Sequence, residues 1–382
     1  MEKRKYNDKT LKAIKEREYW LEEKDVKVLI KPIPETDEKG VLDPRFYADT
    51  LPMVTGIKGM IIKTVSKFTD NSKKTLLENA ERTRKMMNGI KSIPIIANIE
   101  VQAKKVNDIP IRIYYPKNVE KKSLPILYYI HGGGFVAGSM DVVDEMCKML
   151  SEKMQGIVVQ LAYRLAPENP YPAGLNDCLT VLEWIYNHAE EIGGDKDKIG
   201  ISGDSAGGNL ALVCALIDRD KKQKMIQALA LLYPSVDAAH MAENLVKARK
   251  VYEVSDKHAK VLNDLLDIMA ISLLKPTIGE YLGVEDDTIA EVSPLLHDLS
   301  ALPPVILLEG EYDFLRVEND MLAQKLHQVQ NDVTYIRYQG ISHGFADQVG
   351  VTPQAEDALA EIANFMLIHL QNKKGDDIRG DN

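Results

Sequence analysis

Short apolar runs rich in β-branched residues alternate, from residue 95 onward, with longer stretches in which apolar residues recur every three or four positions. The first pattern is typical of strands buried on both faces of a sheet, and the second of helices that cover it. The alternation predicts an α/β fold with a mostly parallel, eight-stranded sheet and helices on both faces. The expected strands are Ile95–Ala103, Ile109–Tyr115, Leu124–Ile130, Gly156–Tyr163, Lys198–Ser202, Ile226–Tyr233, Pro304–Gly310 and Val333–Tyr338.

Local patterns add detail to this fold. Only a short polar link separates the first two expected strands, which predicts an antiparallel hairpin ahead of the parallel part of the sheet. The clearest helices are Asn176–Glu191 and Ala355–Leu370, each with one apolar face.

Two stretches depart from the alternation. Residues 1–90 are rich in Lys and Glu and show no strand pattern, so we expect a helical extension there. Residues 236–291 read as a long helical insertion between two strands of a domain that spans residues 91–371. The last segment, residues 372–382, is polar and is expected to be a frayed tail.

Charge and cysteine content exclude several classes of protein. The 382 residues carry 48 basic and 57 acidic side chains, a net charge of −9, which argues against a nucleic-acid partner. The cysteines Cys147, Cys178 and Cys214 are far apart and form no metal-binding spacing, so we expect buried free thiols in a reducing compartment. A polar N-terminus and the lack of an apolar run of about 18 residues predict a cytoplasmic protein.

The sharpest chemical motif is Gly203-Asp204-Ser205-Ala206-Gly207, a G-x-S-x-G that follows an expected strand and precedes a helical stretch. In that context the motif predicts a nucleophile elbow, in which a strained turn exposes the serine at a helix N-terminus. A serine hydroxyl needs a base to remove its proton and a third group to orient the base. Ser205 is therefore the candidate nucleophile.

Along the chain, the acid should come after the serine, and the histidine that acts as the base should come after the acid. His343 lies in a loop of small residues directly after the last expected strand, and Asp313 stands farthest beyond the end of the preceding one. Glu311 is the alternative acid. The remaining later histidines are expected to be surface or packing residues: His240, His258, His297, His327 and His369.

An oxyanion site is expected in the glycine run that follows strand Leu124–Ile130. Backbone amides of Gly133 and Gly134, with that of Ala206, are the candidate donors. The run Gly132–Ala137 also fits a loose dinucleotide-binding pattern, but no acidic residue ends the next expected strand and no helix follows at once. That context disfavours a nucleotide cofactor.

Five motifs together resemble the hormone-sensitive-lipase-like branch of the α/β-hydrolases, the microbial carboxylesterases. They are HGGGF at 131–135, YRLAPE at 163–168, GDSAGG at 203–208, EYDFLR at 311–316 and SHGF at 342–345. The resemblance covers about residues 90–370 and implies an α/β-hydrolase fold with Ser205, Asp313 and His343 as the catalytic triad. It implies supporting roles for His131, Gly132, Asp204 and Glu168, with neither metal nor organic cofactor.

The chain departs from the family pattern after the candidate acid. Relatives usually have proline there and a second aspartate after the arginine, whereas this chain has Phe314 and Val317. The departure leaves the geometry of this loop and the contacts of Arg316 open.

The resemblance also implies a helical cap formed by residues 1–90 and part of residues 236–291. A stretch near residue 60 has apolar residues at helical spacing with lysines between them, namely Ile57, Met60, Ile61, Val65 and Phe68 with Lys58, Lys63 and Lys67. It fits a membrane-surface helix or, the interpretation we favour, a cap helix packed on the core. We therefore expect no membrane association.

The sequence thus predicts a serine carboxylic-ester hydrolase that acts on small to medium-chain esters through an acyl-enzyme, and that forms a homo-oligomer. An amidase, a carbohydrate deacetylase or a lipase would use the same triad. A receptor that binds a small ligand on the same scaffold without catalysis is the alternative of another class.

Overall fold

A computed structural model describes residues 4–55, 73–87, 92–274 and 277–371. Its centre is a ten-stranded sheet in the order β1-β2-β10-β9-β8-β7-β5-β6-β4-β3. The strands are β1 (Tyr19–Glu23), β2 (Val26–Lys31), β3 (Ile99–Val106), β4 (Ile109–Pro116), β5 (Leu124–Ile130), β6 (Ile157–Leu161), β7 (Gly194–Asp204), β8 (Ala228–Leu232), β9 (Val305–Gly310) and β10 (Val333–Tyr338). All neighbours from β2 to β6 are parallel, and the predicted antiparallel hairpin is formed by β3 and β4.

Helices cover both faces of this sheet, as predicted. The described α-helices are α1 (Asp8–Glu16), α2 (Pro44–Thr55), α3 (Lys73–Met87), α4 (Asp144–Met154), α5 (Ala173–Asn187), α6 (Ala206–Asp220), α7 (Met241–Val251), α8 (Asp256–Leu274), α9 (Ile278–Leu282), α10 (Arg316–Gln328) and α11 (Pro353–Gln371). Every residue of β5, β6, β8 and β9 is buried, which explains their continuous apolar sequences. Cys147, Cys178 and Cys214 are buried free thiols on α4, α5 and α6, as expected.

The N-terminal segment contradicts the prediction of a purely helical extension, and the predicted count of eight strands was wrong for the same reason. Its residues 19–31 form the hairpin β1–β2, which extends the sheet beyond β10 to ten strands. The strand pattern was hidden because β1 is almost entirely exposed and β2 buries a lysine among its apolar residues. Neither strand therefore shows a regular alternation of apolar and polar residues.

Buried ion pairs fix this hairpin to the sheet and to α11. The Lys31 side chain is fully buried, and its Nζ lies 2.5 Å from Glu18, 2.6 Å from Glu361 and 3.3 Å from Asp357. On the neighbouring strand, Arg337 binds both oxygens of Glu23 at 2.9 Å. Each buried cation is thus compensated by carboxylates from another part of the chain.

The start of α2 and the residues just before it pack against the insertion that contains α7, α8 and α9. The Leu42 amide donates to His258 Nδ1 at 2.8 Å, and the ring of Tyr47 stacks on the same imidazole at 4.7 Å. The Ser255 amide donates to the Gly40 carbonyl at 2.7 Å. The apolar and lysine positions expected on a helix between residues 57 and 68 lie outside the described residues. None of the described helices has the length and apolar character needed to cross a membrane.

We expect Lys31→Met to lower the free energy of unfolding by roughly 3 kcal/mol, because the substitution leaves Asp357 and Glu361 without their cation in a buried site. Urea denaturation followed by circular dichroism measures the change. The matched control is Lys27→Met on the same strand, whose side chain is exposed and whose loss should cost little. Equal stability of the two variants would contradict the assignment of the hairpin anchor.

Candidate active site

Ser205 occupies the sharp bend between β7 and α6, with φ +53° and ψ −119°. The two flanking glycines are required because the backbone is crowded there. A Cβ on Gly203 would lie 2.3 Å from the Gly207 carbonyl oxygen, and a Cβ on Gly207 would lie 2.1 Å from the Ile130 carbonyl oxygen. The strand, turn and helix expected for a nucleophile elbow are all present.

His343 and Asp313 lie beside this serine, although 138 residues separate His343 from Ser205. His343 Nε2 is 2.9 Å from Ser205 Oγ, and His343 Nδ1 is 2.8 and 3.0 Å from the two carboxylate oxygens of Asp313. Because a carboxylate accepts hydrogen bonds, Nδ1 carries the proton and Nε2 is free to accept the one from the serine. Glu311, the alternative acid, instead accepts a hydrogen bond from the Gly340 amide at 2.8 Å.

The carboxylate of Asp313 is fully buried and is also held by the Leu315 amide at 2.9 Å. The rings of Phe314 and Tyr233 pack on the His343 imidazole, with centroid distances of 4.6 and 4.8 Å. The departure from the family pattern at position 314 therefore places an aromatic ring against the candidate base. The sequence motif could not show that Phe314 and Tyr233 both contact His343, because Tyr233 follows β8 and Phe314 follows β9, far from His343 in the sequence.

Asp204 joins the glycine-rich loop to the elbow. Its Oδ1 accepts hydrogen bonds from the Tyr129 hydroxyl at 2.9 Å and from the Gly132 amide at 3.0 Å. Burial raises the pKa of Asp204 to about 6, although both hydrogen bonds oppose the rise. Burial and the charge of Asp204 also raise the pKa of Asp347 well above its usual range.

The loop itself turns back on the sheet through positive φ values at Gly133, Gly134 and Phe135. A Cβ on Gly133 would lie 2.2 Å from the Ala137 carbonyl oxygen, so only glycine fits there. Ala206, at the first position of α6, is buried. The roles of Gly133, Gly134 and Ala206 as oxyanion donors stay a prediction.

His131 lies in the interior, 4.4 Å ring to ring from Tyr163. Its Nδ1 is 2.8 Å from the Gly132 carbonyl oxygen, so this nitrogen carries the proton. Burial lowers the pKa of His131 to about 4, which keeps the ring neutral at neutral pH. These contacts fit the supporting role that the family resemblance implies for His131, because they hold the neighbouring loop in place.

Arg84, on α3, is a residue near the site that the sequence did not single out. Its guanidinium pairs with both carboxylate oxygens of Glu168 at 2.7 and 2.8 Å. It also donates to the Val136 carbonyl at 2.7 Å and to the Ala166 carbonyl at 3.0 Å. The N-terminal segment is thus bound directly to the glycine-rich loop, through one arginine in a run of charged residues that shows no distinctive pattern.

An apolar recess opens behind the same loop and is lined in part by Phe135, Tyr171, Leu210 and Leu282. Leu210 lies one helical turn after Ala206, which brings the recess close to the elbow. Within the described part of the chain, no group of three or more His, Cys, Asp or Glu side chains could hold a metal ion.

A serine on a strained strand-to-helix turn, a histidine in contact with it and a buried aspartate behind that histidine define a serine hydrolase with α/β-hydrolase topology. The family model for the α/β-hydrolase fold matches residues 127–347. Carboxylesterase NlhH of Mycobacterium tuberculosis is 31% identical over 292 residues, which are 74% of this chain and 88% of that protein. An acetyl esterase of Salmonella schwarzengrund is 29% identical over 70% of this chain and 78% of its own length.

Among solved structures, the thermostable carboxylesterase EstE1 from a metagenomic library matches with a TM-score of 0.65 and 31% identity. The match covers 79% of this chain and 98% of EstE1. The chain belongs to the α/β-hydrolase fold family, in its hormone-sensitive-lipase-like branch of carboxylesterases.

Phe314→Ala is expected to lower kcat roughly 3- to 10-fold with little change in KM, because the imidazole loses one of the two rings that hold its orientation. Steady-state kinetics on a soluble p-nitrophenyl ester measure this loss. Phe365→Ala is the matched control, since Phe365 packs on a different imidazole, that of His369, at 4.3 Å. If both variants lose kcat equally, the effect reflects general destabilisation and the positioning role is wrong.

Proposed function

We propose that this chain hydrolyses small to medium-chain carboxylic esters through an acyl-enzyme on Ser205. The observation that carries the proposal is the 2.9 Å contact between Ser205 Oγ and His343 Nε2, together with the contact between His343 Nδ1 and the buried carboxylate of Asp313. Carboxylesterases and an acetyl esterase among the relatives support an ester as the substrate.

In the proposed reaction, His343 takes the proton of Ser205 as the hydroxyl attacks the ester carbonyl, and Asp313 stabilises the resulting imidazolium. The amides of Gly133, Gly134 and Ala206 stabilise the negative charge on the carbonyl oxygen, helped by the positive end of α6. His343 then donates its proton to the leaving alkoxide. Water, activated by the same imidazole, releases the carboxylic acid and restores the serine.

The apolar recess is the proposed site for one of the two organic groups of the ester. Its lining is mostly apolar, with Phe135, Leu210 and Leu282 beside the polar Arg164, Asn169 and Glu291, and favours a small uncharged group. The proposed cap includes α2, α3 and the insertion, and the chain just before α2 contacts the insertion through Leu42 and His258. Arg84 connects α3 in this cap to the loop that carries Gly133 and Gly134. Such a cap excludes water and limits the groups admitted.

We further propose a cytoplasmic location and a homo-oligomer. Three buried free thiols are the usual state of cysteines in a reducing compartment. Light scattering on the purified chain tests the oligomer, and a monomer at all concentrations would reject it.

Ser205→Ala should abolish hydrolysis of a short p-nitrophenyl ester and labelling by a fluorophosphonate probe, while the thermal unfolding curve stays close to that of the wild type. Ser300→Ala is the matched control, because Ser300 precedes β9 and therefore lies at the opposite edge of the sheet from the site. Retained turnover in the Ser205 variant would reject the proposed nucleophile. An unlabelled and inactive wild type would favour the receptor instead.

A series of p-nitrophenyl esters of increasing acyl length is expected to give a kcat/KM maximum at short or medium chains and a decline for long ones, since the recess is bounded by Leu282 and Tyr171. Leu282→Ala should move the maximum to longer chains by enlarging the recess. A preference for long chains with activation at a lipid interface would contradict the proposal and indicate a lipase.

A further inference from the structure

Glu309, near the end of β9, is a carboxyl group for which the proposed reaction has no use. Its side chain is fully buried. Its Oε1 accepts a hydrogen bond from the Gly310 amide at 3.0 Å, and its Oε2 has no hydrogen-bond donor in the part of the chain that the structure describes. A buried carboxylate oxygen without a donor destabilises the fold, so the unpartnered atom needs an explanation.

The neighbour of this group is the candidate catalytic acid. The Glu309 carboxyl lies within hydrogen-bonding reach of the Asp313 carboxyl, four residues further along the chain. Two carboxyl groups can hydrogen-bond only when one of them holds a proton, since both ionised forms are acceptors alone. Both oxygens of Asp313 already accept hydrogen bonds, from His343 Nδ1 and the Leu315 amide. The proton of the pair therefore belongs on Glu309.

The other groups around Glu309 agree with this assignment. Asp320 on α10 adds negative charge, and Tyr252 and Tyr335 are neutral phenols nearby. On the adjacent strand, Arg337 is in register with Glu309, but its two terminal nitrogens are bound to Glu23 and Asp320, and its buried Nε makes no hydrogen bond to Glu309. Burial and the charge of Asp313 raise the pKa of Glu309 well above its usual range.

We propose that Glu309 is a positioning residue of the triad: a buried carboxylic acid that keeps its proton at neutral pH and donates a hydrogen bond through Oε2 to the Asp313 carboxylate. The inference rests on the proposed function, because Asp313 acts there only through His343. A donor behind Asp313 fixes the orientation of the carboxylate and spreads its charge. Asp313 then stabilises the imidazolium less strongly than it would without this donor.

The test compares Glu309→Leu with Glu309→Gln across a pH profile of kcat/KM. The leucine variant lacks the donor, so the imidazolium becomes more stable: the acid limb should move to higher pH by about half a unit or more, with kcat reduced about tenfold. The glutamine variant is the conservative rescue. Its amide can accept from Gly310 and donate to Asp313, and its profile should overlay that of the wild type.

Glu145→Leu is the matched control for the loss of a buried acid. Glu145 is buried on α4 and accepts hydrogen bonds from the Ile95 and Ile96 amides at 2.6 and 2.7 Å. Its loss should destabilise the fold without moving the acid limb. If the limb stays in place in Glu309→Leu, or moves equally in Glu309→Gln and Glu309→Leu, the inference is overturned.

Infrared difference spectroscopy tests the proton directly and needs no catalysis. At neutral pH, the wild type should show a carbonyl band of a protonated carboxylic acid that Glu309→Gln lacks. The absence of that band would overturn the inference even if Glu309→Leu fails to fold. Failure of the wild type to hydrolyse esters or to be labelled at Ser205 would instead reject the proposed function, while the band would still report the proton on Glu309.

Discussion

The close packing of backbone around Ser205 is the constraint on which the rest of the site depends. A Cβ atom on Gly203 would clash with the Gly207 carbonyl, and one on Gly207 would clash with the Ile130 carbonyl. Any side chain at either position would therefore force the turn apart. This crowding holds the serine at a positive φ, a strained state that the surrounding structure must maintain. The same contacts pack the end of β5 against the start of α6. Residues 132–134 and Ser205 are therefore held in place by the same backbone contacts.

The parallel sheet explains why three distant segments meet at this point. β7, β9 and β10 run in the same direction, and the loops that follow them leave the sheet at one edge. Ser205, Asp313 and His343 each lie within a few residues of such a strand end. Short loops on buried strands restrict the positions of these three side chains, and the proposed proton transfer from Ser205 to His343 depends on that restriction.

Much of this could be predicted from the sequence, because apolar runs mark buried strands and glycines mark crowded turns. The order of the triad and its strand-end positions followed from the fold class, and the structure brings those three residues together. The N-terminal hairpin could not be predicted, since the burial of Lys31 depends on carboxylates about 330 residues away. Arg84, and the contact of Phe314 with His343, were missed for a similar reason: their partners are set by tertiary packing, which no local pattern records.

The position of the hairpin has a consequence for the synthesis of the chain. β2 is synthesised before its partner strand β10, which begins at Val333, and two of the acids that neutralise Lys31 lie later still, on α11. The hairpin therefore stays unpaired along one edge until β10 has been made, and an unpaired strand edge is prone to aggregation. A product that stops before β10 cannot bury β2 in its native place.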